Sequence, residues 1–230
     1  MASINPIKKN DFLKFRCGKD LPCFNMCCRN LNQALTGFDI LKIARLKNMH
    51  TDTFLKKYTF SYTGQQTGFP VVSAFQQPDN DNACIFLKES GCGIYKARPL
   101  SCRLYPAARG ISLDSKTGMP VEHFAIIKED HCKGFMHGAP MTISKWLEDQ
   151  ETGEYIEAND IFMCLVLEIQ KKNIRLDKNK KNIIYQNCYN LDIFLEKTFN
   201  NNINMEKLKK NDLSLFKKGI DMTRKILLKL

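Results

Sequence analysis

The chain has 230 residues and a mass of 26.5 kDa, enough to bury roughly 70% of the surface its unfolded form exposes, so it folds without needing crosslinks. With 43% hydrophobic and 26% charged residues it is neither a disordered nor a fibrous sequence. A net charge of +11 raises nucleic acid or an anionic membrane as partners, and ten cysteines raise metal or redox chemistry.

In chain order, Thr36-Gly37-Phe38-Asp39 has the character of a capping box, and Ile40, Ile43, Ala44 and Leu46 behind it recur at helical spacing. A second short helix is expected from Thr51. Pro70 to Phe75, Cys84 to Leu87 and Val121 to Ile127 read as short strands, the first two separated by the polar turn QQPDNDN, and predict a small antiparallel sheet. Thr142 to Leu147, Tyr155 to Lys171, Asn182 to Thr198 and Leu213 to Leu230 read as helices, the last with an apolar stripe of Leu215, Ile220, Ile226 and Leu227. The class is α+β: a small metal-organised, cysteine-rich domain with short antiparallel strands at 12–140, and a helical region packing on it at 141–230.

The N-terminal MASINPIKKNDFLKF lacks the apolar core of a signal peptide, and the longest apolar run, Ile161 to Leu167, falls far short of the ~20 residues of a spanning helix. The expectation is a soluble cytoplasmic protein without a transmembrane segment. There the cysteines stay reduced, and a disulfide framework is not expected. The positive charge is concentrated late. Residues 171–230 carry 15 Lys and Arg against 6 Asp and Glu, a net of +9, leaving +2 for the rest. No helix of that basic tail interleaves aromatic residues with its lysines, so it reads as a solvated face, and a nucleic-acid partner is not expected.

The cysteines fall into groups. FRCGKDLPCFNMCCRN holds Cys17, Cys23, Cys27 and Cys28. On a helical turn Cys23 and Cys27 share a face, while Cys28 points about 100° away, so the adjacent pair divides its roles between one centre and a second centre or a packing position. CIFLKESGCGIYKARPLSCRLYP presents Cys84, Cys92 and Cys102, with Gly91 and Gly93 beside Cys92 and prolines bracketing Cys102. Cys132 follows His131. These eight thiols would satisfy two four-thiolate centres, or one with spares, and thiolate-rich sites suit zinc, iron-sulfur clusters and Cu(I).

CFNMCC, the following LTGFDILKIARLKN, and CIFL with GCGIYKARPLSCRLYP resemble the YkgJ-type cysteine-cluster family of zinc- or iron-chelating domains, named for a CxxCxxxCC pattern. The likeness covers Phe12 to Ala108 well, and HCKGF at 131–135 and CYNLDIFLEKTF from Cys188 are similar to a longer subfamily. The Cys17–Cys23 gap departs from the pattern, with five residues where the family has two. The resemblance implies metal binding. Flagellin lysine N-methylases contain a similar cysteine-rich domain associated with an iron-sulfur cluster, which implies an iron-sulfur centre, 4Fe-4S in type, ahead of Zn2+. No glycine-rich loop follows a strand, so a methyl-donor or nucleotide fold has no support in the sequence.

Arg98 and Arg103 flank Cys102 and are candidates to screen a thiolate cluster or hold an anionic cofactor or substrate, with surface packing over Tyr95 and Tyr105 as the alternative. His131 is either a ligand or a donor behind one. Cys164, on the apolar face of IFMCLVLEI, and Cys188 are expected to be structural. No Ser-His-Asp set, HExxH, P-loop or carboxylate pair is present. The sequence therefore points to a metal-binding protein used in electron or group transfer, with a zinc-stabilised interaction module or a metal-handling protein as alternatives. A protein partner or a small-molecule substrate is implied without being identified, and whether the protein is an enzyme stays open.

Overall fold

In the computed structural model, residues 3–114, 116, 117, 119–199, 208 and 210–229 are described. The strands are β1 (Ser3–Ile7), β2 (Phe12–Lys14), β3 (Ala34–Leu35), β4 (Thr59–Thr63), β5 (Pro70–Ala74), β6 (Gln76–Gln77), β7 (Ala83–Cys84), β8 (Leu87–Lys88), β9 (Gly91–Cys92), β10 (Ala107–Leu113), β11 (Pro120–Lys128) and β12 (Pro140–Thr142). The helices are α1 (Gly37–Leu46), α2 (Thr51–Tyr58), α3 (Leu100–Leu104), α4 (Ile143–Asp149), α5 (Gly153–Lys171), α6 (Lys178–Ile184), α7 (Leu191–Phe199) and α8 (Asp212–Leu228). The fold is α+β, with every strand pair antiparallel.

Two compact units interleave along the chain. One comprises Met1–Asn32, Gln76–Tyr95 and Leu100–Gly153, and the other Gln33–Phe75, Lys96–Pro99 and Glu154–Leu230. The expected division at 140/141 is a single cut, whereas these units are discontinuous, because packing associates α1, α2 and β3–β5 with the C-terminal helices.

In the first, cysteine-rich unit, β11 is the centre of a sheet ordered β1-β11-β10, and β2 pairs with β12. The strand expected at Val121 to Ile127 lies inside β11, but its partners β1 and β10 have no clean apolar alternation and were not expected. Phe15 packs edge-on against Tyr105, Phe135 and Trp146 at centroid distances of 6.1, 5.1 and 5.5 Å. Trp146 also donates its indole N–H to the Leu104 carbonyl at 2.9 Å, tying α4 to α3. The expected strand Cys84 to Leu87 is instead split between two hairpins, β6-β7 and β8-β9.

In the second, helical unit, the capping box is formed: Asp39 N–H donates to Thr36 Oγ1 at 3.1 Å and Thr36 N–H to Asp39 Oδ2 at 2.8 Å. Ile40, Ile43 and Ala44 are fully buried, while Leu46 at the last turn is exposed. On α8, Leu215, Phe216, Gly219, Ile220, Thr223 and Leu227 face inward and Ile226 faces solvent, so the stripe is shifted from the expected one. Leu230, the expected end of that helix, lies outside the described residues.

The helix expected over Asn182 to Thr198 is broken into α6, a π-helical turn at Tyr185–Tyr189, and α7, with Asn190 between the last two. The break has a tertiary cause. Thr51 Oγ1–H donates to Asn190 Oδ1, Asn190 Nδ2–H donates to Asp52, and Gly37 and Gly219 approach the Cys188 and Asn187 carbonyls so closely that a Cβ at either glycine would collide with them. Beside it, Asp192 accepts from Arg45 and from the Thr51 N–H at 2.8 Å.

Candidate metal centre

All eight cysteines expected as ligands fall in the cysteine-rich unit, although it is assembled from three separate stretches of chain; Cys164 and Cys188 lie in the helical unit. All ten are free thiols. No helix among the described residues is long and apolar enough to cross a membrane.

Cys17, Cys23, Cys27 and Cys132 line one small cavity of about 20 Å³, together with Phe15, Arg16, Leu21, Tyr105, His131 and Gly134. The turn carrying Cys23 and Cys27 is of the tight three-residue kind rather than the expected α-helical one. Phe24, Met26 and Cys28 N–H groups bond to the carbonyls of Leu21, Cys23 and Asn25, and Asn25 has a left-handed φ of 69°. Cys23 and Cys27 still reach the same cavity, and Cys28 lies outside its lining while hydrogen-bonding to Cys27.

Cys132 arrives from the far end of the unit. Arg16 N–H donates to the Gly134 carbonyl at 3.1 Å, and Lys133 N–H points at Cys23 Sγ at 3.2 Å. Gly134 allows this approach, since a Cβ there would strike the Phe15 ring and the Arg16 carbonyl. The backbone thus gives a thiolate at Cys23 a ready hydrogen-bond donor.

Ionisation of Cys17 and of Cys27 is disfavoured in this group. Burial pushes Cys17 up, and the charges of Cys27, Cys23 and Cys132 add to it. Cys27 is raised far above the ordinary thiol range, first by its hydrogen bond with Cys28 and then by burial. A bound cation reverses this balance, since it favours the thiolates that otherwise repel.

A further polar atom points to the same conclusion. His131 Nε2 is buried without a hydrogen-bond partner and belongs to a residue lining this cavity. The carboxylate of Glu129 stands 3.6 Å from it. Burial pushes the Tyr105 phenol well above its ordinary value, and its interactions with Cys132 and Glu129 add to the rise. Buried polar groups rarely go unpaired without reason, and a metal would supply His131 with a partner. Among the described residues no three Cys, His, Asp or Glu side chains stand close enough to hold an ion as they are, so ligation requires these side chains to turn inward. The donor chemistry and the cavity fit a metal, and the volume as it stands is that of a single small species.

Of the remaining thiols, Cys84 and Cys92 lie in the hairpins. An antiparallel bridge joins Arg29 to Ala83 and is extended by Asn30 N–H to the Asn82 carbonyl at 3.2 Å. Cys28 itself stands in the three-residue turn that precedes this bridge, and Cys84 pairs with Gln76. Cys92 pairs with Leu87 in the next hairpin and is close enough to Cys84 to raise its thiol, which burial has already pushed up. Gly91, at φ 118° with the Phe24 ring against it, is the glycine this turn requires. Cys102 lies exposed on α3.

Arg103, next to Cys102, is almost wholly buried and donates to the Gln150 carbonyl at 2.7 Å, so it fastens α3 to the end of α4. Arg98 is half-buried and belongs to the helical unit. Cys164 is half-buried, and Cys188 is fully buried with its sulfur 3.4 Å from Thr223 Oγ1. Sequence reasoning missed Tyr105 and Phe15 in the cavity lining, and Glu129 beside His131. Their only signal was adjacency: Tyr105 follows Cys102 in the CRLYP segment, Glu129 precedes His131-Cys132, and Phe15 precedes Cys17.

The family model described as "CxxCxxCC: Putative zinc- or iron-chelating domain" matches residues 16–133. That span begins beside Cys17 and ends just after Cys132, so it encloses all eight clustered thiols. No curated protein and no solved structure matches the chain.

Proposed function

We propose that this chain, which belongs to that zinc- or iron-chelating domain family, holds two thiolate metal centres of the iron-sulfur type and works in electron or group transfer. One set of donors is Cys17, Cys23, Cys27 and Cys132, with His131 Nε2 as an additional donor; the other is Cys28, Cys84, Cys92 and Cys102. The observation that carries the reading is the convergence of four thiols from opposite ends of one unit on a cavity that is also lined by His131, whose Nε2 is buried without a hydrogen-bond partner. Eight thiols exceed the four that a closed structural site uses, and Cys102 is exposed, which leaves the second set a flank open to a redox partner or a small molecule. Ten free thiols also suit a reducing, cytoplasmic setting.

An iron-sulfur centre, when bound, supplies one-electron chemistry. The chain's own residues do the rest. Phe15, Leu21 and Tyr105 keep water from the first set, the Lys133 N–H and the Tyr105 hydroxyl donate toward sulfur, and Arg103 holds α3, and with it Cys102, in place.

A second reading follows from the donor count. Four thiols on one cavity are the set that a single Zn2+ or iron in a closed four-thiolate shell uses, which suits a protein whose metal organises an interaction surface. Anaerobic purification followed by iron, zinc and sulfide analysis separates the readings. Brown protein with acid-labile sulfide and an EPR signal on reduction supports the first. Colourless protein with stoichiometric zinc and no redox response rejects it in favour of the second.

A further inference from the structure

The helical unit contains 22 Lys and Arg against 12 Asp and Glu, so it carries +10 of the chain's +11. Its three-stranded sheet, ordered β3-β5-β4, leaves β4 as an edge with the sequence TFSYT. Phe60 and Tyr62 alternate onto one face of that strand and are each 40% exposed, and Phe75, just beyond β5, is 37% exposed. The rings form a continuous, nearly parallel row. Phe60 lies 6.0 Å from Tyr62 at an interplanar angle of 26°, and 5.8 Å from Phe75 at 27°.

Large aromatic side chains are seldom left on a surface in a row, because burying any one of them is worth a few kcal/mol. Cations stand at both ends. Lys181 Nζ donates to Thr63 Oγ1 at 3.2 Å, next to Tyr62. At the other end Phe75 N–H donates to the Tyr58 carbonyl, and Lys47 and Lys57 lie over the Tyr58 ring at 4.9 and 5.4 Å. Ser73, paired with Phe60 across the ladder, has a buried hydroxyl without a hydrogen-bond partner.

We propose that this sheet face binds single-stranded nucleic acid, with bases stacking on Phe60, Tyr62 and Phe75 and the flanking lysines neutralising phosphates. An apolar protein partner would account for the rings but not for +10 of charge in the same unit. A polyanion with planar, stackable bases accounts for both. The basic helices lack interleaved aromatics, and tertiary folding supplies them from a sheet more than 100 residues earlier in the chain. The site is independent of the metal reading, since it uses none of the thiols.

The test is fluorescence anisotropy of labelled oligo-dT and oligo-rU with the full-length, metal-loaded protein, over salt from about 50 to 200 mM. Binding that weakens with salt is expected, and Phe60→Ala should weaken it about tenfold, with Tyr62→Ala added roughly a hundredfold. Lys181→Ala should lower the salt slope by about one. Phe60→Trp, which keeps a stacking ring, should retain affinity and show tryptophan quenching, and it stands in if the alanine variants misfold. The proposal is overturned if no oligonucleotide binds at the lowest salt, if duplex binds as tightly as single strands, or if the ring variants bind as well as the parent. Sedimentation showing a dimer that Phe60→Ala dissociates, without oligonucleotide binding, would assign the face to a second copy and also overturn it.

Discussion

Lowering the pH by one unit tests the four-thiol set directly. Burial and the charges of neighbouring thiols raise Cys17, and a hydrogen bond with Cys28 and then burial raise Cys27, so both hold their protons more tightly than an ordinary thiol in the metal-free protein. Each thiol that ligates must release its proton, and each released proton makes binding tenfold weaker per unit fall in pH, about 1.4 kcal/mol. Four ligating thiols around the cavity therefore imply a roughly ten-thousandfold loss of affinity per pH unit, or about 5.4 kcal/mol. Zinc is a suitable probe, since it accepts thiolates without redox complications. Competition against a chromophoric chelator at several pH values gives the slope, and proton release in weakly buffered solution counts it independently. Cys132→Ser should reduce the proton count for this set by one, whereas Cys164→Ser should leave it unchanged. A slope of one or two protons for the intact protein, or an unchanged count in Cys132→Ser, would refute convergence of these four residues on one ion.

Gly219→Ala places a methyl group against the Asn187 carbonyl and Leu191. Alanine in a helix gains up to about 1 kcal/mol over glycine, but a clash with fixed backbone costs about 1–3 kcal/mol, so urea unfolding should show net destabilisation with unchanged metal content. Cys188, pushed up to about 12 by burial, keeps its proton in the folded state while the unfolded thiol ionises near its ordinary value of 9.0. Its contribution is thus present below about pH 9 and is lost as pH rises toward 12, by about 1.4 kcal/mol per unit, and the pH dependence of stability in Cys188→Ala should lack this component. Asp192 behaves oppositely. The Arg45 guanidinium and the Thr51 N–H hold its carboxyl below the usual range against the opposing effect of burial, so its contribution is lost in acid, and Asp192→Asn should cost about 3–5 kcal/mol in thermal or urea melts near neutral pH.

Local signals were legible wherever a few adjacent residues sufficed. The Thr36–Asp39 cap and the central strand at Val121–Ile127 follow from short-range stereochemistry, and the clustered thiols announce metal chemistry by number and spacing. Tertiary structure alone brought Cys132 across more than 100 residues to Cys17. The contacts that do so, Arg16 N–H to Gly134 O and Lys133 N–H to Cys23 Sγ, are both donated by backbone amides, which leave no pattern of their own in the sequence. The same holds for the π-helical turn at 185–189, where the intrinsic helical preference of the segment yields to two glycines and a buried Asn190. Composition could not assign the +10 of charge and the Tyr62–Phe60–Phe75 row to one unit, because a charge or a ring acquires its neighbours only when distant strands and helices pack together.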